Sequence, residues 1–338
     1  MTAQTILSSD PRLTWSGTIS LENGDGWTMP WRIPHKQRAL FYPALVERAA
    51  MPAGVRITFC SDTTSLAGQI VPFPELSPID LYCDGLFFGS VELDGRSDFR
   101  FTGLPSGEKA IALWLPQFGE FRLRDLTIDS GASLTQFRDE RPRWITYGSS
   151  ITQCRTASSP SRTWPAIVAR ERDYNLTALG YGGQCHLDVM IARMMREMPA
   201  DFLSICVGIN IYGNGSLNER SFGQAIIGFV QLLREGHPET PLVVMSPIYA
   251  AQRETEVNGA GFTIQAMRGE VEKAVALLRG QGDEHIHHVN GLDIFGAESA
   301  HLLPDDLHPN GEGYELMGRN FSQKVDGRYF AQFTREEA

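Results

Sequence analysis

The chain has 338 residues, 42% of them hydrophobic and 21% charged, with a formal net charge of -10. That composition is ordinary for a folded protein with room for two cores, which excludes an intrinsically disordered chain. The negative balance disfavours non-specific attraction to nucleic acid or to an anionic membrane, because neither polyanion gains from an acidic surface.

Met1 to Asp10 is polar and lacks the basic stretch and apolar core of a secretory signal, and no run reaches the ~20 apolar residues of a membrane span. A cytoplasmic protein without a membrane partner is expected. From Thr14 to about Ile128 short β-prone runs follow one another: Val55–Cys60, Ile79–Cys83, Leu86–Leu93, Phe99–Thr102, Ala110–Leu115 and Arg122–Ile128. Turn signals separate them, among them Asn23-Gly24-Asp25-Gly26, Cys83-Asp84-Gly85 and Leu93-Asp94-Gly95, each offering a residue that tolerates positive φ. This spacing predicts an antiparallel β-sandwich or jelly roll. Between Ser130 and Arg143 apolar periodicity is lost and Arg138-Asp139-Glu140-Arg141 and Pro142 appear, so the first domain is expected over 1–138 and the second over 139–338.

In the second half short apolar runs alternate with amphipathic stretches. Arg143–Tyr147, Leu176–Leu179, Phe202–Val207, Leu242–Met245 and Ile286–Val289 read as buried strands. Trp164–Arg172, Leu187–Met198, Phe222–Glu235, Ile264–Arg279 and Gly311–Lys324 read as helices. Such alternation predicts an α/β domain, a parallel sheet covered by helices on both faces, with ligands bound at the carboxyl ends of its strands.

Chemistry-bearing residues follow those strands. The first runs into Gly148-Ser149-Ser150-Ile151-Thr152, a small-residue turn that lifts a hydroxyl to the sheet edge or simply turns the chain. A serine needs a histidine to take its proton and a carboxylate to fix the histidine tautomer. Asp305-Asp306-Leu307-His308 supplies both, because an Asp three residues before a His can fold its carboxylate back onto Nδ1. Gly180-Tyr181-Gly182-Gly183-Gln184 and Gly208-Ile209-Asn210, each just after a strand, offer a backbone N–H and a side-chain amide suited to a developing oxyanion.

These four segments, in this order from Arg143 to about Lys324, resemble the four blocks of the SGNH, or GDSL-type, hydrolase family. The resemblance implies a three-layer α/β/α domain in which Ser150 attacks and Asp305 and His308 complete the triad. It further implies an oxyanion hole made by the Ser150 amide, Gly183 and Asn210. Ser149 stands where the family signature has aspartate, and Gln184 follows Gly183 where Asp or Asn is usual, so the loop must be braced differently. Ser149 is the rival nucleophile, at the family's bracing position. Ile79-Asp80-Leu81-Tyr82-Cys83-Asp84-Gly85 resembles a signature of a carbohydrate-binding-module-like sandwich found ahead of some of these hydrolases.

The expected activity is a serine esterase acting on a short-acyl ester of a small molecule or carbohydrate through an acyl-enzyme. One alternative is an acyltransferase to an alcohol; another is a carbohydrate-binding protein with a silent hydrolase domain. No cofactor is expected, and a homo-oligomer is left open. His285, His287 and His288 lack a carboxylate partner at metal-site spacing, so no metal is expected. Cys60, Cys83, Cys154, Cys185 and Cys206 are odd in number and scattered, so they read as buried thiols rather than a disulfide framework, and Cys185 as packed rather than nucleophilic. Cys154, close to Ser150, is a candidate for oxidation. Trp15, Trp27, Trp31, Phe41 and Tyr42 suit either a sugar-stacking platform or the sandwich core.

Overall fold

The computed structural model describes residues 3–330. Met1, Thr2 and residues 331–338, which belong to the two expected domains, lie outside the described residues. The chain forms two compact units: residues up to Glu140 with Ser159–Ser161, and Arg141–Ser158 with the chain from Arg162 onward.

The first unit holds strands β1 (Gln4–Leu7), β2 (Thr14–Ser16), β3 (Ser20–Gly24), β4 (Trp27–Trp31), β5 (Arg56–Ser61) and β6 (Ser65–Ile70). They are followed by β7 (Ile79–Cys83), β8 (Leu86–Val91), β9 (Asp98–Thr102), β10 (Lys109–Trp114) and β11 (Leu123–Ile128), with helix α1 (Pro43–Ala49) after β4. One sheet runs β3-β4-β11-β6-β9 with β1 also on β11; the other runs β2-β5-β10-β7-β8. All pairings are antiparallel. Alternation supplies the reason: Phe99 and Phe101 of β9 are buried while Asp98, Arg100 and Thr102 are exposed, so one face joins the core with Ile57, Phe59, Leu66, Leu81, Ile111 and Leu126. Asp84 and Gly85, with φ of 47° and 76°, close the two-residue hairpin between β7 and β8 that the Asp-Gly pair predicts.

Five strands of this unit, β1 to β4 and β6, were not individually expected, because runs such as Trp27-Thr-Met-Pro-Trp31 mix proline and polar residues into a short segment. Trp31 and Phe41 are buried and belong to packing, whereas Tyr42 is 65% exposed and Trp27 lies against the Arg122 guanidinium. The signature residue Asp80 is fully buried on β7, and its Oδ2 accepts hydrogen bonds from the hydroxyls of Ser159 and Ser161, both at 2.6 Å, and from the Ser161 N–H. Those bonds explain why this tripeptide packs with the first unit although chain neighbours on both sides belong to the second.

In the second unit β12 (Arg143–Gly148), β13 (Asn175–Gly180), β14 (Phe202–Cys206), β15 (Leu242–Met245) and β16 (Ile286–Val289) form a parallel sheet in the order β13-β12-β14-β15-β16. Intervening helices are α2 (Ser150–Gln153), α3 (Trp164–Glu171), α4 (Val189–Glu197), α5 (Ile209–Asn214), α6 (Glu219–Arg234), α7 (Ile264–Gly280), α8 (Gly291–Ile294) and α9 (Gly311–Phe321). Every residue of β14 and β15 is buried, as a sheet covered on both faces requires. The chain builds β13 on one side of β12 and then crosses to β14 on the other. The carboxyl ends of β12 and β14 therefore flank the topological switch point, where sheets of this kind bind ligands. Trp144 anchors the sheet against helices, its ring 5.8 Å from Trp164 and 5.4 Å from Phe321. The helix expected through Lys324 ends earlier, as α9 passes into a π-helical turn over Ser322–Asp326. His285 precedes β16, so the histidine trio does not share one strand.

Candidate active site

Strand β12 ends at Gly148 for a steric reason: a Cβ there would lie 2.1 Å from Thr152 Oγ1. Its register partner Gly180 is tighter still, since a Cβ would lie 2.3 Å from the Gln153 amide nitrogen. Only glycines at these two strand ends let α2 lie over the sheet edge. Ser149 caps α2, its buried Oγ accepting the Ile151 N–H at 3.2 Å. That bond turns Ser149 inward and leaves the half-buried Ser150 at the first helical position.

Ser150 Oγ lies 2.8 Å from His308 Nε2, and His308 Nδ1 lies 2.6 Å from Asp305 Oδ2. The other Asp305 oxygen accepts the backbone N–H of His308 at 2.6 Å and of Leu307 at 3.1 Å. Asp306, between them, adopts a left-handed φ of 59°, which folds the segment back on itself. Partial burial pushes the Asp305 carboxyl up, but the hydrogen bonds from the His308 ring and amide outweigh it and hold the carboxyl below its ordinary value. A carboxylate that remains charged fixes the Nδ1–H tautomer, and Nε2 is then a lone pair facing a hydroxyl.

Counting backbone donors locates the remaining polar capacity. After β13, Tyr181 N–H donates to Gly148 O, Gly182 N–H to Gln153 Oε1 at 2.8 Å, Gln184 N–H to Tyr181 O and Cys185 N–H to Asn210 Oδ1 at 3.0 Å. Gly183, with φ of 73°, has the one N–H in that run with no partner among the described residues. Asn210 stands at the start of α5; because Oδ1 is taken by Cys185, its Nδ2 points the other way and likewise has no partner among the described residues. The Ser150 N–H, at the first position of α2, is the third such donor.

The structure brings Ser150, His308 and Asp305 into contact and places Gly183 after β13 and Asn210 on α5, while the residues that brace them were not expected from the sequence. Gln153, three residues after Ser150, holds the Gly182 amide, and the buried Tyr147 hydroxyl accepts the Leu187 N–H at 3.2 Å. Leu187 itself has a φ of 62°, a costly conformation for a side chain branched beyond Cβ. The one signal that could have pointed to Gln153 is that it directly follows the Gly148–Thr152 segment; nothing in the sequence points to Tyr147. Cys154, Cys185 and Cys206 are buried, and burial raises all three thiols, Cys206 to about 12, which removes the thiolate that a nucleophilic or oxidation-prone cysteine needs.

Beside these residues Ile151, Cys206, Val207, Ile209, Pro247 and Leu307 contribute to an apolar cleft. It encloses about 250 Å³ including its mouth, and is so narrow that the centre of a water molecule has only about 10 Å³ to move in. Three of its walls, Ile151, Ile209 and Leu307, adjoin Ser150, Asn210 and His308 in sequence. Among the described residues no cluster of His, Cys, Asp or Glu could hold a metal ion, and no helix is long and apolar enough to cross a membrane.

Residues 141–326 match the model of the GDSL-like lipase/acylhydrolase family, and residues 13–124 match that of the SsfX3 N-terminal domain. A salicylyl-acyltransferase, SsfX3, from a tetracycline biosynthetic pathway is 34% identical with a TM-score of 0.89, over 98% of this chain and 99% of that one. A family two carbohydrate esterase from Cellvibrio japonicus, 15% identical with a TM-score of 0.67, covers 98% of each chain. An acetyl xylan esterase, Est2A, from Butyrivibrio proteoclasticus is 10% identical with a TM-score of 0.64, over 99% of this chain and 100% of that one; at such identities these two likenesses concern the fold. No curated protein matches the chain.

Proposed function

We propose that this chain, which belongs to the GDSL-like lipase/acylhydrolase family, transfers short acyl groups from esters through an acyl-enzyme on Ser150. The observation that carries this reading is the chain of contacts from Ser150 Oγ to His308 Nε2, 2.8 Å, and from His308 Nδ1 to Asp305 Oδ2, 2.6 Å. His308 takes the Ser150 proton as Oγ bonds to the ester carbonyl carbon, and Asp305 balances the imidazolium. The carbonyl oxygen becomes an oxyanion facing the Ser150 and Gly183 N–H groups and Asn210 Nδ2, the donors without partners. As the carbon–oxygen bond to the alcohol breaks, His308 protonates the departing oxygen, and a second attack then releases the acyl group from Ser150.

The apolar lining of the cleft, from Ile151, Ile209 and Leu307, accords with an uncharged acyl group, whose length a panel of p-nitrophenyl esters would read. Purified protein should hydrolyse p-nitrophenyl acetate and react with a fluorophosphonate, and Ser150→Ala should lose both while keeping its melting temperature. Hydrolysis undiminished in Ser150→Ala would remove the assignment, and glycan binding without any labelling would favour a silent scaffold.

Water or an alcohol could make the second attack, since His308 would deprotonate either. The likeness to a salicylyl-acyltransferase over 98% of the chain supports transfer to an acceptor other than water, for which we propose an alcohol of a sugar or natural product. Supplying such alcohols with an acyl donor should yield a new ester in water; hydrolysis alone across a broad acceptor panel would favour the esterase.

A further inference from the structure

Gly183 is asked to present one N–H in a fixed direction, yet glycine is the residue least able to hold its own conformation. A Cβ at Gly183 would meet nothing within 4 Å, so no packing confines it either. Its carbonyl is the one remaining handle, and that oxygen lies 3.1 Å from His186 Nε2. His186 Nδ1 lies 2.7 Å from Ser216 Oγ, and Asn214 Nδ2 is 3.1 Å from the same Nε2. Asn214 ends α5, and the Ser216 N–H bonds back to the carbonyl of Ile211 within it. Asn210 opens that same helix, where its Oδ1 takes the Cys185 N–H.

We propose that His186 is a positioning residue, a strut that ties the Gly183 carbonyl to the end of the helix carrying Asn210 and so fixes the two oxyanion donors relative to each other. A carbonyl oxygen only accepts, so Nε2 carries the proton and donates it to Gly183, while Nδ1 accepts from the Ser216 hydroxyl. Because Nε2 then carries the proton, the exposed Asn214 amide, whose Nδ2 lies 3.1 Å away, must turn over so that its oxygen faces the ring. With Cys185–Asn210 at one end of α5 and His186–Ser216 at the other, loop and helix are joined at two points, and Gly183 is restrained between the Gly182 N–H held by Gln153 and its own carbonyl held by His186. His186 touches neither Ser150 nor His308; it acts through Gly183. Preorganised donors stabilise a developing charge without reorganising at the moment of reaction, which is what this strut secures.

The inference rests on Ser150 being the nucleophile, and its test separates the two. Kinetics with p-nitrophenyl acetate and affinity for phenylboronic acid, which forms a tetrahedral adduct on an activated serine, are measured for wild type, His186→Ala, His186→Gln and His186→Asn. His186→Ala should lower kcat by about 10–100-fold, in the range a misplaced group costs, with KM within about twofold of wild type by the same argument that ground-state binding is untouched. Boronate affinity should fall in proportion to kcat. His186→Gln places an amide N–H near the position of Nε2 and should restore most of the loss, whereas His186→Asn, too short to reach the carbonyl, should not. Equal activity in His186→Ala and wild type, a change confined to KM, or identical behaviour of Gln and Ala would overturn the strut. Wild-type protein that neither hydrolyses the ester nor binds the boronate would overturn the serine assignment, and the strut with it.

Discussion

On the proposed function, Asn210 performs two tasks with one amide, and substitution can separate them. Its Nδ2 is an unpartnered donor at the start of α5, while its Oδ1 accepts the Cys185 N–H at 3.0 Å. Asn210→Ala removes both. Loss of one preorganised oxyanion donor lowers kcat by about 10²–10³-fold, or about 2.7–4 kcal/mol of transition-state stabilisation. Cys185 is buried, so its orphaned N–H costs a further ~1–3 kcal/mol, this time of folding stability. At about 2–4 °C per kcal/mol for a domain of 150–250 residues, the melting temperature should fall measurably. Asn210→Asp retains an oxygen for Cys185 but turns the second atom from donor to anionic acceptor. It should therefore keep more of the stability while losing at least as much kcat, since a carboxylate oxygen repels the developing oxyanion. Initial rates with p-nitrophenyl acetate and thermal melts of the three proteins decide it. Asn210→Asp turning over within threefold of wild type, or melting no higher than Asn210→Ala, would refute the division of labour.

Asp305→Asn should leave the segment folded but favour the wrong histidine tautomer, lowering kcat by up to about 10⁴-fold, read from kcat at pH 8 beside unchanged circular dichroism. Gly180→Ala sets a Cβ against the Gln153 backbone, which cannot swing aside as a side chain would, so α2 must shift; expressed protein should show loss of fluorophosphonate labelling together with a lowered melting temperature. In the first unit, hydrogen bonds from Ser65 and Thr64 hold the Asp129 carboxyl far below its ordinary value. Because the folded value is the lower one, the contribution of Asp129 to stability is complete above the unfolded carboxyl's pKa and disappears as pH falls through the folded value. Urea midpoints followed from pH 7 downward should therefore drop only below the ordinary aspartate pKa of about 3.9, and Asp129→Asn should be less stable at pH 7 with a shallower acid loss.

The parallel sheet was legible because each buried strand is a continuous apolar run bounded by turn residues: Leu242–Met245 and Ile286–Val289 were expected with the bounds they have. The sandwich was legible only where alternation is strong, as in β9, and illegible at β4, where Pro30 interrupts a run that pairs with β3 from Gly24 to Ser20. The proposed triad could be read because its spacing is local: Asp305 reaches His308 within one turn, and the link to Ser150 spans 158 positions but joins two recognisable segments. Bracing bonds are of another kind. Tyr147 to Leu187 joins residues 40 apart, Gln153 to Gly182 joins residues 29 apart, and neither pair has a pattern that chemistry alone would impose.

Those braces also account for Ser149 and Gln184. With serine in the place of aspartate, the short Oγ reaches only the Ile151 amide of its own helix, so it caps α2 but cannot extend to the loop after β13. Gln153 has the longer side chain and does extend, its Oε1 receiving Gly182 N–H at 2.8 Å, while the Gln184 N–H turns back to Tyr181 O. An acceptor is still supplied from the Ser150 helix to the glycine loop, but from four positions later than Ser149. From Tyr181 to Cys185 every N–H except that of Gly183 has a partner among the described residues. If Gly183 holds the oxyanion as proposed, any substitution that left a second N–H free, or gave Gly183 a partner, would lower kcat before it lowered the melting temperature.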